Sequence, residues 1–217
     1  MSKSPYVAAL DSIQQELTAY LKPLGFRKRG RTYNRCVGDG LVQALNLQMG
    51  QYPIGDCVIQ GLRESSYGRF AVNLGIALPA VPALEFDRPL PSFVQEYQCH
   101  IRIRLSQLAF KEDVWFDLDH LVDRTAKDLV RHMDVKGIPF LERFESYSAV
   151  LAELDSAGSL PGSNAGRSAL VGAMICVHLG DNERARIYFD RAAAAGKDHK
   201  GFAGHIADVR RNSGLSP

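Results

Sequence analysis

Six residues form the first candidate for chemistry. Asn46, Gln48, Asn73, His100, Arg102 and Arg104 occupy alternate positions in three stretches whose other positions are largely apolar. If those stretches pair as a meander, the amides, the imidazole and the guanidinium groups emerge on one face of a sheet. Planar amides beside guanidinium forks suit a carboxylate, a phosphate or an acidic protein surface. The same pattern describes an ordinary solvated face with cross-strand polar pairs. Against that plainer reading, few carboxylates stand near the arginines in sequence.

A second group is basic. Lys22, Arg27, Lys28, Arg29, Arg31 and Arg35 have no acidic neighbour between positions 22 and 35. On an unbroken strand Arg27, Arg29, Arg31 and Arg35 would share a face, with Tyr33 among them, and such a strand can hold a nucleic-acid backbone. A basic edge also discourages strand-to-strand aggregation. Gly30 is where a bulge or turn would break the register. The third group is acidic: Glu112, Asp113, Asp117, Asp119, His120 and Asp123. Oxygen ligands and one imidazole could take a divalent ion, but a helix cap and acidic residues at the positive end of a helix explain the cluster without metal. No metal ligand is assigned. The cluster complements the basic strand, so a homodimer is compatible with the sequence.

No set of residues qualifies as catalytic. The chain has no G-x-S-x-G, H-E-x-x-H, P-loop or G-x-G-x-x-G, and its six histidines are scattered. No cofactor is implied. Cys36, Cys57, Cys99 and Cys176 include no C-x-x-C pair, the nearest two standing 21 residues apart. That spacing matches no zinc pattern and suits reduced cytoplasmic thiols.

The elements that must position these residues follow from periodicity. Ser4-Pro5 opens a helix whose Val7, Leu10, Ile13, Leu17, Tyr20 and Leu24 recur at three and four residues. The period then drops to two. Residues 27–36, 41–49, 70–78 and 99–105 read as strands, with Leu45, Leu47, Leu74, Ile101 and Ile103 facing a core and the polar positions facing water. Between them, 50–67 and 79–98 are long connections rich in Gly and Pro, and loops of that length usually have a function. Val58 to Leu62 reads as a short strand and Pro91 to Gln98 as a short helix. Helical spacing returns over 117–135 and, after Gly137 and Pro139, over 140–154. Helix, strands, then helices without βαβ alternation indicate α+β: an antiparallel sheet of four to five strands with helices on one face.

Residues 155–168 (DSAGSLPGSNAGRS) read as a linker, which divides the chain into 1–154, the linker and a helical tail over 169–217. In the tail, Ala173, Gly180, Ala185, Phe189 and Ala192 have the small–Gly–small–aromatic–small spacing of a tetratricopeptide-like pair, followed by a helix near 200–212. One such pair cannot bury its own face. It must lie on the helices near 140–154, on another subunit or on a partner.

Composition sets limits on function. The 217 residues carry 26 Lys plus Arg against 24 Asp plus Glu, a net charge of +2 at pH 7. That balance argues against a dedicated nucleic-acid binder, and 46% hydrophobic residues argue against disorder. No apolar run reaches the ~18 residues of a membrane span, and the N-terminal stretch does not read as a secretory signal.

The run LKPLGFRKRGRTYNR at 21–35, with LNLQ at 45–48, FAVNLGI at 70–76, CHIRIRL at 99–105, VWFDL at 114–118 and GIPFL at 137–141, resembles domain-of-unknown-function family 4304 over about residues 5–150. The resemblance implies a bacterial, cytoplasmic α+β protein with no assigned activity. By association it suggests an immunity protein that neutralises a toxin. The expected function is therefore a non-catalytic protein-binding module. The alternatives are an enzyme or small-molecule binder acting on an anionic ligand at the polar sheet face, and nucleic-acid binding through residues 22–35.

Overall fold

A computed structural model describes residues 4–51, 66–118 and 122–215. The chain begins with helix α1 (Pro5–Leu21) and strands β1 (Arg27–Arg29), β2 (Thr32–Cys36), β3 (Val42–Met49) and β4 (Arg69–Ala77). Helix α2 (Ala80–Phe86), strand β5 (Ile101–Arg104), helix α3 (Leu105–Phe110) and the short strand β6 (Phe116–Asp117) follow. The rest is helical: α4 (Val122–His132), α5 (Ile138–Glu142), α6 (Tyr147–Ala157), α7 (Ala165–His178), α8 (Asn182–Gly196) and α9 (Lys200–Asn212). The fold is α+β, with the antiparallel sheet ordered β1-β2-β3-β4-β5 and β6 added on β4. The expected strand at 58–62 falls outside the described residues, as do Cys57, Asp119 and His120.

Two compact units interleave along the chain. One comprises Met1–Arg35, Ala44–Leu74 and Ile103–Glu142, the other Cys36–Gln43, Gly75–Arg102 and Arg143–Pro217.

In the first unit α1 buries Leu10, Ile13, Leu17 and Leu21 completely and packs on α4, which contributes Ala126 and Leu129. Its start differs from the expected serine cap. The Ser4 side chain makes no capping bond, and its carbonyl accepts from the Val7 and Ala8 N–H groups instead. The basic stretch is a hairpin, not one strand. Arg27, Lys28 and Arg29 pair with Asn34, Tyr33 and Thr32, and Gly30 turns the chain at φ +62°. Tyr33 is therefore a core residue, 1% exposed, its hydroxyl 2.8 Å from Thr18 Oγ1 on α1. Gly137 and Pro139 do not interrupt the later helix as expected. A wide π-type turn over Met133–Gly137 joins α4 to α5. Pro139 has no N–H to give an ordinary helical turn, and the extra residue absorbs that gap.

Strand β4 departs most from a two-sided reading. Every residue after Arg69 is buried, Ala71, Asn73, Gly75 and Ala77 as well as Phe70, Val72, Leu74 and Ile76. The face expected to meet water is covered, which its small side chains permit. At Gly75 a Cβ would come within 2.6 Å of Cys99 Cβ. Ile101 is buried as expected, whereas Ile103 is only half-buried.

In the second unit α7 is buried along most of its length and packs on α8, α2 and α6. The face of the helical tail is thus covered by its own chain. Close approach depends on Gly172, where a Cβ would meet Leu154 Cδ2 at 2.7 Å and Tyr188 Cδ1 at 3.1 Å. Asn164 caps α7 by accepting from the Arg167 N–H, and Asp181 caps α8 by accepting from Arg184. Residues 158–164 connect α6 to α7 and are held in place. Leu160 is 1% exposed and its N–H donates to Ser168 Oγ at 2.9 Å, while the Pro161 carbonyl accepts from the Arg102 N–H at 3.0 Å.

Candidate functional site

The predicted polar residues find partners close by. Asn73 Nδ2 donates to Gln48 Oε1 at 2.9 Å, and Asn46 Nδ2 to Thr32 Oγ1 at 3.0 Å. Arg102 Nε donates to Glu96 Oε1 at 2.7 Å, with a longer second bond of 3.3 Å from Nη2 to Oε2. Arg104 Nη1 donates to Asp113 Oδ1 at 2.7 Å while its guanidinium lies 5.0 Å from the Trp115 ring centre. The apparent shortage of carboxylates is therefore corrected: Glu96 and Asp113 come from neighbouring loops. Asn46, Gln48, Asn73 and Arg104 belong to the first unit, His100 and Arg102 to the second.

The basic residues also separate. Arg27 and Arg29 are exposed on β1, Arg31 stands 3.5 Å from Asp11, and Arg35 lies over Phe26 and donates to the Leu24 carbonyl. They share no common face, because the turn at Gly30 puts Arg31 and Arg35 after the first strand. In the acidic cluster Asp113 is bound to Arg104 and Asp117 to Arg69. Among the described residues no group of three or more His, Cys, Asp and Glu could hold a metal ion.

Two of the predicted residues line clefts: Arg27, in one of about 540 Å³ with Phe26, Lys28 and Tyr33, and His100, in one that also holds aromatic and cationic side chains. His100 is the more constrained of the two. It stands just before β5, its N–H donating to the Ile76 carbonyl at 2.9 Å. Its Nδ1 accepts from the Leu78 N–H at 3.0 Å. An accepting Nδ1 places the ring proton of a neutral imidazole on Nε2. Burial lowers the pKa to about 4, with nearby Arg167 acting in the same direction and Glu85 opposing. At neutral pH the ring is thus an uncharged N–H donor whose basic nitrogen is occupied. That suits binding and not proton abstraction.

The cleft has a volume of about 490 Å³, and His100 lies in its wall with Gln98, Phe86 and Arg88. Pro82, Pro89, Leu90 and Pro91 supply the apolar part. The prolines shape the chain here. Asp87 ends α2 at φ +50° and turns it into the segment that carries Arg88. Arg88 is exposed, stacks over Phe86 at 4.9 Å and makes no ion pair with a described residue. Phe86 is 52% exposed and Tyr97, in the turn preceding Gln98, 70%.

Beneath Phe86 lies a charged cluster. Glu85, its side chain 2% exposed, is held by both terminal guanidinium nitrogens, Nη1 and Nη2, of Arg167 and by His205 Nε2 at 2.7 Å. Burial alone would raise the Glu85 pKa, but the bonds from Arg167 and His205 outweigh it and leave the group below its ordinary value. The Phe86 and His205 rings stack with centroids 6.4 Å apart. None of Phe86, Arg88, Glu85, Arg167 and His205 stands out by sequence spacing. The one available signal is the length of the 79–98 connection.

Architecture and cleft define an α+β protein built on an antiparallel sheet, with a part-apolar, part-cationic recess beside its last long strand. The chain belongs to the family described as Domain of unknown function (DUF4304), whose model matches residues 17–143. The match includes the cleft residues from Pro82 to His100 but not Arg167 or His205. No curated protein and no solved structure matches the chain. Among the described residues no helix is long and apolar enough to cross a membrane.

Proposed function

We propose that the chain is a non-catalytic protein-binding module whose cleft at Phe86, Arg88 and His100 takes an acidic segment of its partner. The observation that carries this reading is Arg88, an exposed cation with no carboxylate partner among the described residues, beside a histidine whose N–H is fixed as a donor. A carboxylate placed there gains a charge-assisted bond to arginine and a second bond to the imidazole. The exposed rings of Phe86 and Tyr97 supply the aromatic contact typical of binding hot spots. Neutralising a toxin inside the cytoplasm is the form of this function that the family resemblance suggests.

The test is crosslinking in the source cell from a photoreactive residue at position 97, followed by binding measurements with the isolated partner. The crosslinked segment should be acidic, and Arg88→Glu should weaken binding at least about tenfold, as loss of a charge-assisted contact implies. A crosslinked segment without acidic residues, or an Arg88→Glu variant that binds as well as the wild type, would sink the reading. A small anionic ligand is the second reading, favoured by a cleft volume inside the ~300–1,000 Å³ range of small-molecule sites. It predicts that short carboxylates bind with micromolar affinity and displace no protein.

A further inference from the structure

The cleft of about 540 Å³ lies where the end of α1 meets the hairpin that follows it, and Thr18, Lys22, Phe26, Lys28 and Tyr33 line it. A tight turn brings its two walls together. Past α1 the chain reverses at Gly25, φ +88°, and the Phe26 N–H donates back to the Leu21 carbonyl at 3.3 Å. Thr18 and Lys22 stand one turn apart and share a face of the helix. Strand β1 supplies the other wall. Lys28 pairs with Tyr33, and residues directly opposite each other on antiparallel strands point to the same side of the sheet. That side is the α1 side, because the Tyr33 hydroxyl lies 2.8 Å from Thr18 Oγ1. Lys22 and Lys28 therefore flank one floor, made by Thr18 and Tyr33.

No carboxylate balances these two lysines. Both are exposed, and neither side chain makes an ion pair or hydrogen bond with a described residue. None of the residues that line the cleft is acidic. The floor has its polar groups engaged already. Thr18 Oγ1 donates to the Gln14 carbonyl at 2.6 Å, and the Tyr33 hydroxyl lies 3.3 Å from the same oxygen. Arg27 lines the cleft too, but strand alternation sends its side chain, with that of Arg29, to the opposite side.

Two positive charges at one recess suit a dianion. A carboxylate would match one of them, whereas a phosphate monoester carries nearly two negative charges at neutral pH and three acceptor oxygens. A single-stranded nucleic acid would need rings on which to stack its bases. Phe26 is 5% exposed and Tyr33 1%, so neither offers a ring face. We infer that this cleft binds a small phosphate monoester, its dianionic phosphate seated between Lys22 and Lys28. The volume lies within the ~300–1,000 Å³ of small-molecule sites and leaves room for an organic group beside the phosphate. Every lining residue belongs to the first unit, so the inference does not depend on the cleft at His100.

The experiment titrates the full chain with methyl phosphate, acetate and a short oligothymidylate at one ionic strength, and follows the amide signals of Lys22, Gly25 and Lys28 by NMR. Methyl phosphate should shift all three saturably and bind more tightly than acetate. Its affinity should fall as pH drops from about 7.5 to about 5, where the second proton returns to the phosphate. Lys22→Gln and Lys28→Gln should each weaken it at least about fivefold, as loss of one hydrogen bond implies. Arg29→Gln removes the same charge from the other side of the strand and should change the affinity less than about twofold. Absence of saturable shifts, acetate binding as tight as methyl phosphate, or no change with pH would overturn the assignment. So would an Arg29→Gln loss equal to that of Lys28→Gln, which would mean general charge attraction. Oligothymidylate binding tighter than methyl phosphate would overturn it in favour of nucleic acid.

Discussion

At His100 a single backbone hydrogen bond fixes what the side chain can do. With Nδ1 accepting from Leu78 and the pKa lowered to about 4, the ring is neutral in the folded chain and titrates near 6.5 once unfolded. The sign follows from linkage. Above pH 6.5 neither state carries the proton and the group costs nothing, while below that the unfolded chain gains a proton the folded one refuses. Stability should therefore fall as pH drops from about 6.5 to about 4, by at most about 3 kcal/mol from this residue. Urea unfolding at several pH values should show the loss, and His100→Asn, whose Oδ1 can still accept from Leu78, should flatten that part of the curve. A ring titrating normally by NMR would contradict the buried tautomer. The sequence placed His100 at a polar strand position, but its function depends on Leu78, Arg88 and Phe86. Contacts of that kind leave no periodic trace.

Elements are tied together at Glu85. The carboxylate on α2 is bonded by Arg167 from the first turn of α7 and by His205 from α9, in almost complete burial. Removing one partner of a buried pair leaves a charge uncompensated, so Arg167→Met should destabilise the protein by about 3–5 kcal/mol in chemical denaturation. Arg131→Met, at a surface pair with Asp128, should cost under about 1 kcal/mol. A difference near zero between the two would mean that the α2–α7 tie carries no weight. Most elements were legible, because α1, β3 and β4 have clean periods of three-to-four or two. The α2 helix was not, since four prolines between 79 and 91 read as breakers. In fact Pro79 and Pro82 stand at its cap and in its first turn, where a missing N–H costs nothing. The unbroken alternation of apolar and polar residues over 99–105 concealed the passage from β5 directly into α3 at Leu105.

Over the whole molecule, the free cysteines report how tightly the chain is closed. Cys36 is exposed, while Cys99 and Cys176 are buried. Burial raises the thiol pKa of both, that of Cys176 to about 11. A thiol reagent at pH 8 should modify Cys36 at once, and Cys99 and Cys176 only as fast as the chain opens. Mass spectrometry of the labelled positions would show it. Rapid native labelling of Cys99 or Cys176 would mean that the core around α7 or beside β4 is looser than described. Chain order has a further consequence for synthesis. Each unit gathers three separated segments, so neither is complete when its first segment leaves the ribosome. The first unit lacks α4 and α5 until Glu142 has emerged, and the second, which begins at Cys36, waits for its last segment, Arg143–Pro217. The early strands must therefore spend much of translation without their final cover, the interval in which a nascent chain has most need of a chaperone.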